Sequence, residues 1–196
     1  MSVLVQTKTY AAPPVSINSI MHYARCSDND LQVISLCNDC LNEIKDKLKF
    51  KVCFAELPLK TIGDRCDFDL FFVNSNDLAK NLSGCKSVIV FAATIGVAID
   101  RLIAKYSRIS PSKSLLMQAI GTERVEALCD MFQREISKDY KTSGKLRFSA
   151  GYGDLPLITQ KDIFNVLDCP KNIGLTLNDS LIMSPSKSVT AFIGVL

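Results

Sequence analysis

Several kinds of site are missing from this sequence. It holds one histidine, His22, and 8 cysteines with a single close pair, Cys37-Asn38-Asp39-Cys40. Zinc sites gather Cys and His at tight spacing, so the lack of a second CxxC and of further histidines speaks against zinc. The three-cysteine cluster of a radical-type iron–sulfur centre is absent as well. Cys26, Cys53, Cys66, Cys85, Cys129 and Cys169 are widely spaced in mostly apolar surroundings, the pattern of reduced core cysteines in a cytosolic protein. A net charge of +3, with no basic run interleaved with aromatics, gives no footprint for nucleic acid. The longest apolar run, Val88-Ile89-Val90-Phe91-Ala92-Ala93, is far too short to span a membrane. Nor does the N-terminus place an apolar stretch behind a basic one, as an export signal would. These readings put the chain in the cytoplasm, without a membrane or nucleic-acid partner.

What is present is core material. At 196 residues and 47% hydrophobic, the chain can bury one sizeable core, and residues 1–196 read as a single domain. An extended N-terminal segment ends at Pro13-Pro14. Ser16 or Asn18 then caps a short helix to about Cys26, and Ser27-Asp28 opens a longer one with Leu31, Ile34, Cys37, Leu41, Ile44 and Leu48 in register. Phe50–Leu59 and Asp67–Val73 read as strands paired through Gly63-Asp64. Ser75-Asn76-Asp77 opens a short helix, and Ser87–Ala93 is a buried strand. Ser110-Pro111 starts the longest helix, running to about Tyr140, with Gly121 marking close packing or a kink. Another helix follows from Thr159 to Leu167. Residues 172–183 and 187–195 are expected to complete the sheet. Helices and strands mix without a steady βαβ alternation, so the expected fold class is α+β, a twisted and largely antiparallel sheet with flanking helices.

Few stretches carry chemistry. Thr94-Ile95-Gly96 lies between a strand and a helix, but the other glycines of a dinucleotide fingerprint and the Gly-Lys-Ser/Thr of a P-loop are absent. A tight strand–helix turn accounts for it. Glu126 borders the apolar stripe of the long helix; buried, it would need a partner or a raised pKa, and an edge position with its head in water is the simpler account. The densest combination is Leu146-Arg147-Phe148-Ser149-Ala150-Gly151-Tyr152-Gly153-Asp154-Leu155-Pro156. A strand with Leu146 and Phe148 on one face breaks there into a glycine-flanked corner. An arginine, small residues and an aromatic ring together suit an anionic ligand that also has an apolar or cationic part. An ordinary tight loop with a surface arginine has the same local pattern.

Arg147–Tyr152 resembles the Arg-x-x-x-Gly-Tyr motif of the activation domain of cobalamin-dependent methionine synthase. The block Ile173–Pro185, with Gly174, Leu177, Ser180, Met183 and Pro185, and with Asn178 where the family has threonine, is similar to a second block of that family. Ser188–Gly194, Phe91–Gly96 and Ala119–Ile136 are similar to further elements, and Glu126 falls on a family glutamate. Residues 86–194 carry the resemblance, and residues 1–85 match loosely.

The resemblance implies S-adenosylmethionine as ligand and cobalamin carried by a partner protein. It also implies reductive remethylation of that cobalamin, with a flavodoxin-type electron donor. Ligand contacts would come from Arg147, Ser149, Ala150, Gly151, Tyr152 and Glu126, with Tyr152 nearest the chemistry. Departures are Ser149-Ala150 and Gly153-Asp154-Leu155 where the family has other residues, and no Asp-x-His-x-x-Gly cobalt-ligating motif occurs. The expectation is therefore a stand-alone reactivation protein acting on a separate cobalamin-dependent methionine synthase. Another corrinoid protein as partner, or a non-catalytic binding or assembly role, are the alternatives.

Overall fold

The computed structural model describes residues 3–27 and 29–196. In chain order the elements are β1 (Gln6–Tyr10), α1 (Ile17–Ala24), α2 (Leu31–Ile44), β2 (Phe50–Pro58), β3 (Lys60–Ile62), β4 (Arg65–Asp67) and β5 (Phe72–Asn74). Then come α3 (Asn76–Asn81), β6 (Ser87–Thr94), α4 (Ala98–Ile109), α5 (Pro111–Asp139) and α6 (Gln160–Leu167). The chain closes with α7 (Cys169–Ile173), β7 (Thr176–Leu177), β8 (Met183–Ser184) and β9 (Ser188–Val195).

The main sheet has the order β1-β2-β6-β9, and every pairing in it is antiparallel. Side chains alternate across a strand, so each central strand serves two cores. Phe54, Ile89, Phe91, Ala93 and Ile193 face α1, α2, α4 and α5. Cys53, Ala55, Leu57, Val88, Val90, Ala92 and Phe192 face α3, α6 and α7. Burial on both faces explains why Ser87–Thr94 reads as an unbroken apolar run rather than an alternating one. The α+β expectation with a largely antiparallel sheet and flanking helices matches this arrangement.

Several local expectations change. Asp67–Val73 is not one strand paired with β2. Asp69 sits at φ 71 and breaks it, and both edges of β2 are taken by β1 and β6. The turn at Gly63-Asp64 instead joins β3 to β4, in a small meander with β5. Residues 172–183 do not enter the main sheet. They end α7 at Gly174 and form the short β7–β8 pair. The free edge of β9 is met instead by Thr142 and Phe148 through isolated bridges, so Leu146–Ser149 is an edge segment rather than a full strand. The second helix is capped by Asp30, which accepts from the N–H groups of Gln32 and Val33 at 3.0 and 3.2 Å. Of its expected start at Ser27-Asp28, Asp28 lies outside the described residues.

Two clamps fix the N-terminal segment to α5. Glu123 and Arg124 are buried side by side, with Arg124 Nη2 2.6 Å from Glu123 Oε1. Arg124 also donates to the carbonyls of Pro13 and Pro14, both at 2.6 Å, and Glu123 accepts the Ser16 N–H at 3.0 Å. A buried ion pair holds only when its remaining donors and acceptors are filled, and here the proline carbonyls fill them. Nearer the end of α5, Glu135 accepts from Lys8 Nζ at 2.6 Å and Tyr10 Oη at 2.5 Å. Gly121 lets α5 pack closely. A Cβ there would lie 2.9 Å from Lys187 Cγ and 3.1 Å from Ile99 Cγ1. Close packing is therefore its role, within the unbroken span of α5.

Among the described residues no helix is long and apolar enough to cross a membrane. The cysteines are free thiols, and no group of three His, Cys, Asp or Glu side chains among the described residues is placed to hold a metal ion.

Candidate functional site

A cavity of about 680 Å³ opens beside the edge of β9. Its wall includes Glu126 and Asp130 from α5, then Arg147, Ser149, Ala150 and Tyr152 from the edge segment and its corner. Asn81, Gln160, Met183 and Thr190 complete it from α3, α6, β8 and β9. Helices and strands therefore supply much of the wall, which keeps it rigid.

Arg147 is the electrostatic centre. Its Nη1 donates to Asp130 Oδ1 at 2.7 Å and reaches Gln133 Oε1 at 3.4 Å, while Nη2 donates to Glu126 Oε2. Glu126 and Asp130 are four residues apart, so they share one face of α5. Burial opposes the charge on Arg147, but hydrogen bonding to Asp130 and then Glu126, with the latter's charge, outweighs it and the guanidinium pKa rises. Two carboxylates against one guanidinium leave a net negative charge, and among the described residues no other charged side chain lines the cavity. A guanidinium has more donors than these contacts use, so Arg147 can still meet a ligand acceptor. Cys129 lies behind this face of α5. Burial pushes its thiol up to about 12, which keeps it protonated and out of nucleophilic chemistry.

The corner after Arg147 is held from both ends. Phe148 exchanges two backbone hydrogen bonds with Phe192, at 3.0 and 2.8 Å. Tyr152 N–H donates to the Ser149 carbonyl at 3.1 Å, and Gly151 N–H to the Leu155 carbonyl at 2.9 Å. Gly151 adopts φ +90, a conformation other residues rarely take, and a Cβ there would press on Leu157. Beyond the corner, Asp154 caps α3. Its carboxylate accepts the N–H groups of Asn76 and Asp77 at 2.8 and 3.1 Å, and the hydroxyl of Ser75. These bonds, the Ser75 hydroxyl first, hold the Asp154 pKa down to about 2.

The structure thus brings Glu126, Arg147, Ser149, Ala150 and Tyr152 around one cavity. Gly151 is not in the wall. It shapes the turn that aligns its neighbours, and its N–H is spent inside that turn. Tyr152 stands at the rim, 65% exposed. Asp154 serves the scaffold rather than the cavity. The Thr94-Ile95-Gly96 corner is a tight turn, with Gly96 N–H donating to Thr94 Oγ1 at 3.2 Å. Asp130, Asn81 and Gln160 were not anticipated from the sequence. The i, i+4 spacing from Glu126 could have pointed to Asp130. Nothing local marks Asn81 or Gln160.

Comparison with known proteins decides the family. Residues 72–195 match the activation domain of vitamin B12 dependent methionine synthase. The chain belongs to that family. It is 25% identical over 144 residues to the methionine synthase of Mycobacterium leprae (strain TN), a match covering 62% of this chain and 12% of that protein. The chain therefore corresponds to a small part of that relative. Its fold is similar to the crystal structure of the MetH reactivation domain bound to AdoHcy, with a TM-score of 0.69 at 15% identity. That likeness covers 98% of this chain and 78% of the other. The family match begins at residue 72, whereas the structural likeness takes in nearly all of the N-terminal part as well.

Proposed function

We propose that this activation-domain chain binds S-adenosylmethionine in the cavity beside Arg147 and presents its methyl group to a cobalamin carried by another protein. The partner is a cobalamin-dependent methionine synthase, and the electron comes from a flavodoxin-type donor in the cytoplasm. The observation that carries this reading is the charge of the cavity: two carboxylates on one guanidinium, beside an exposed tyrosine. A sulfonium cation with an amino-acid tail suits such a site. Family membership supports the reading, as does the AdoHcy bound by the structurally similar domain, since AdoHcy is S-adenosylmethionine without the methyl group.

The chain's own residues have positioning roles. Arg147 holds Glu126 and Asp130 in place and keeps donor capacity for the ligand's carboxylate. Glu126 and Asp130 attract the cationic centre and the ammonium group. Ser149 and Ala150 allow close approach because their side chains are small. Gly151 sets the turn that carries them. Tyr152, at the rim, gives a modest cation–π contribution near the sulfonium and meets the incoming corrin. When bound to the partner and reduced, cobalamin supplies the nucleophile, so the contribution of this chain is placement of the methyl donor. The 196 residues hold no Asp-x-His-x-x-Gly motif, and His22 is exposed on α1, so cobalt ligation is assigned to the partner.

Calorimetry with S-adenosylmethionine tests the ligand, comparing the parent with Arg147→Ala. Binding by the parent and about tenfold or greater weakening in the variant are expected from loss of a charge-assisted contact. No binding by the parent, or equal binding by both, would overturn the assignment. Recovery of the methylcobalamin spectrum on an inactivated synthase, under reducing conditions, tests the role. Failure to recover it in the presence of bound ligand would leave a binding or assembly protein, and rescue of a different corrinoid protein alone would change the partner.

A further inference from the structure

Leu157 and Ile158 are large apolar side chains left 42% and 51% exposed on the short turn Leu157–Thr159 that leads into α6. The core does not use them. Of residues 151–158 only Leu155 is buried, in the core against α6 and α7, and the others are exposed. The turn nevertheless has a fixed place. Tyr152 and Gln160, on either side of it in the chain, both line the cavity beside Arg147. Leu157 also lies against the corner, since a Cβ on Gly151 would come 3.2 Å from its Cδ1. The turn is thus set beside Tyr152, at the mouth of the cavity. Residues 149–160 include one charged residue, Asp154, and its carboxylate is held by the start of α3. The rest of the corner is neutral. Apolar side chains exposed together beside a cavity mark a surface that another molecule covers.

We infer that Leu157 and Ile158, with the ring of Tyr152, form a docking platform for the protein that carries the methyl acceptor. This rests on the reading above, in which that acceptor is a cobalamin on a partner. A methyl group held in the cavity has to leave through the mouth, so whatever accepts it must cover the mouth. The partner surface that borders its cofactor then meets the rim. Three exposed apolar side chains there suit an apolar face on that partner, the usual content of the centre of an interface, rather than a charged one. A second copy of this chain seated on the same platform would close the mouth and exclude the acceptor. Tyr152 belongs to both wall and rim, whereas Leu157 and Ile158 are not part of the wall. The two tasks are therefore separable: holding the ligand does not need the turn, and docking does.

Ile158→Ser and the double variant Leu157→Ser/Ile158→Ser test this against a cobalamin-loaded methionine synthase lacking its own activation domain. The single variant is included because Leu157 touches the corner and Ile158 is the more exposed of the two. Calorimetry measures S-adenosylmethionine binding, and biolayer interferometry measures affinity for the synthase. Both variants are expected to melt with the parent and to bind S-adenosylmethionine within about twofold of it, as exposed substitutions do. The double variant is expected to bind the synthase about fivefold or more weakly, with the single variant between. Half-maximal remethylation should need correspondingly more synthase, while the rate at saturation stays that of the parent. Unchanged affinity for the synthase in both variants would overturn the platform and leave the ligand assignment intact. Weakened S-adenosylmethionine binding by Ile158→Ser would also overturn it, by making the turn part of the ligand site. So would a dimeric parent made monomeric by the double variant, which would assign the platform to a second copy. A parent that binds S-adenosylmethionine yet neither binds nor remethylates the synthase would instead reject the proposed function, and the inference with it.

Discussion

The carboxylate of Asp154 accepts the backbone N–H of Asn76 at 2.8 Å, from 78 residues further along the chain. With the Ser75 hydroxyl and the Asp77 N–H it ties the corner after Arg147 to the start of α3. Asp77 returns the contact, accepting the Asp154 N–H at 3.3 Å. Gly153 sits between them at φ +52, where any Cβ would run into the Asp77 carboxylate. The corner's position therefore depends on a capping exchange that neither segment makes alone.

That exchange is pH-dependent. The folded pKa of Asp154 is depressed to about 2, below the ordinary carboxylate range near ~3.9. A depressed carboxylate contributes stability above its unfolded pKa and loses it as pH falls through the folded value. Asp154→Asn should therefore lower the melting temperature at neutral pH, and the gap from the parent should close between about pH 4 and about pH 2. A gap that persists below that window would mean the side chain acts by shape rather than charge.

Charge in the cavity predicts a preference between ligands. Asp130→Asn removes one of the two carboxylates while keeping the side chain's size. S-adenosylmethionine, with its sulfonium, should bind about fivefold more weakly, a modest loss because Asp130 is largely solvated. AdoHcy, which lacks the sulfonium charge but keeps the ammonium group, should be weakened less. Raising the salt concentration should shrink the difference. Equal weakening of both ligands would show that Asp130 sets geometry rather than potential.

The buried pair on α5 makes a stability prediction. Arg124→Ala would leave Glu123 buried without its cation and would free the carbonyls of Pro13 and Pro14. Removing one partner of a buried ion pair costs about 3–5 kcal/mol. Urea denaturation should show a loss of that order, with the N-terminal segment losing amide protection before the rest. A loss under about 1 kcal/mol would place the pair among surface-like ion pairs.

Gly121→Ala sets two effects against each other. Alanine in a helix interior is favoured over glycine by about 1 kcal/mol. Against that, the added methyl would press on Ile99, which is fully buried, and on the stem of Lys187. Overpacking of this kind costs about 1–3 kcal/mol, so the variant should be less stable by roughly 1 kcal/mol. Gly121→Ala combined with Ile99→Val should recover part of the loss. A more stable single variant would mean that Lys187 and Ile99 yield freely.

The reach of the sequence was local. The helix caps at Ser16 and Ser75, the apolar run of β6, the stripe of α5 and the Arg147–Tyr152 corner all depend on residues within a few positions of one another. Such patterns are set by backbone geometry and by which face a side chain must bury. The motif at Arg147, with the blocks on either side of it, was enough to reach the family. What only the tertiary structure decided was which distant residues meet. Asn81, Asp130 and Gln160 come to one cavity because β9 borders the 142–148 segment and Asp154 pins the following corner to α3. Strand order and cross-chain capping come from contacts between distant segments, and no short-range periodicity encodes those. For the same reason the charge of the site, set by Asp130 as much as by Arg147 and Glu126, became visible only in the fold.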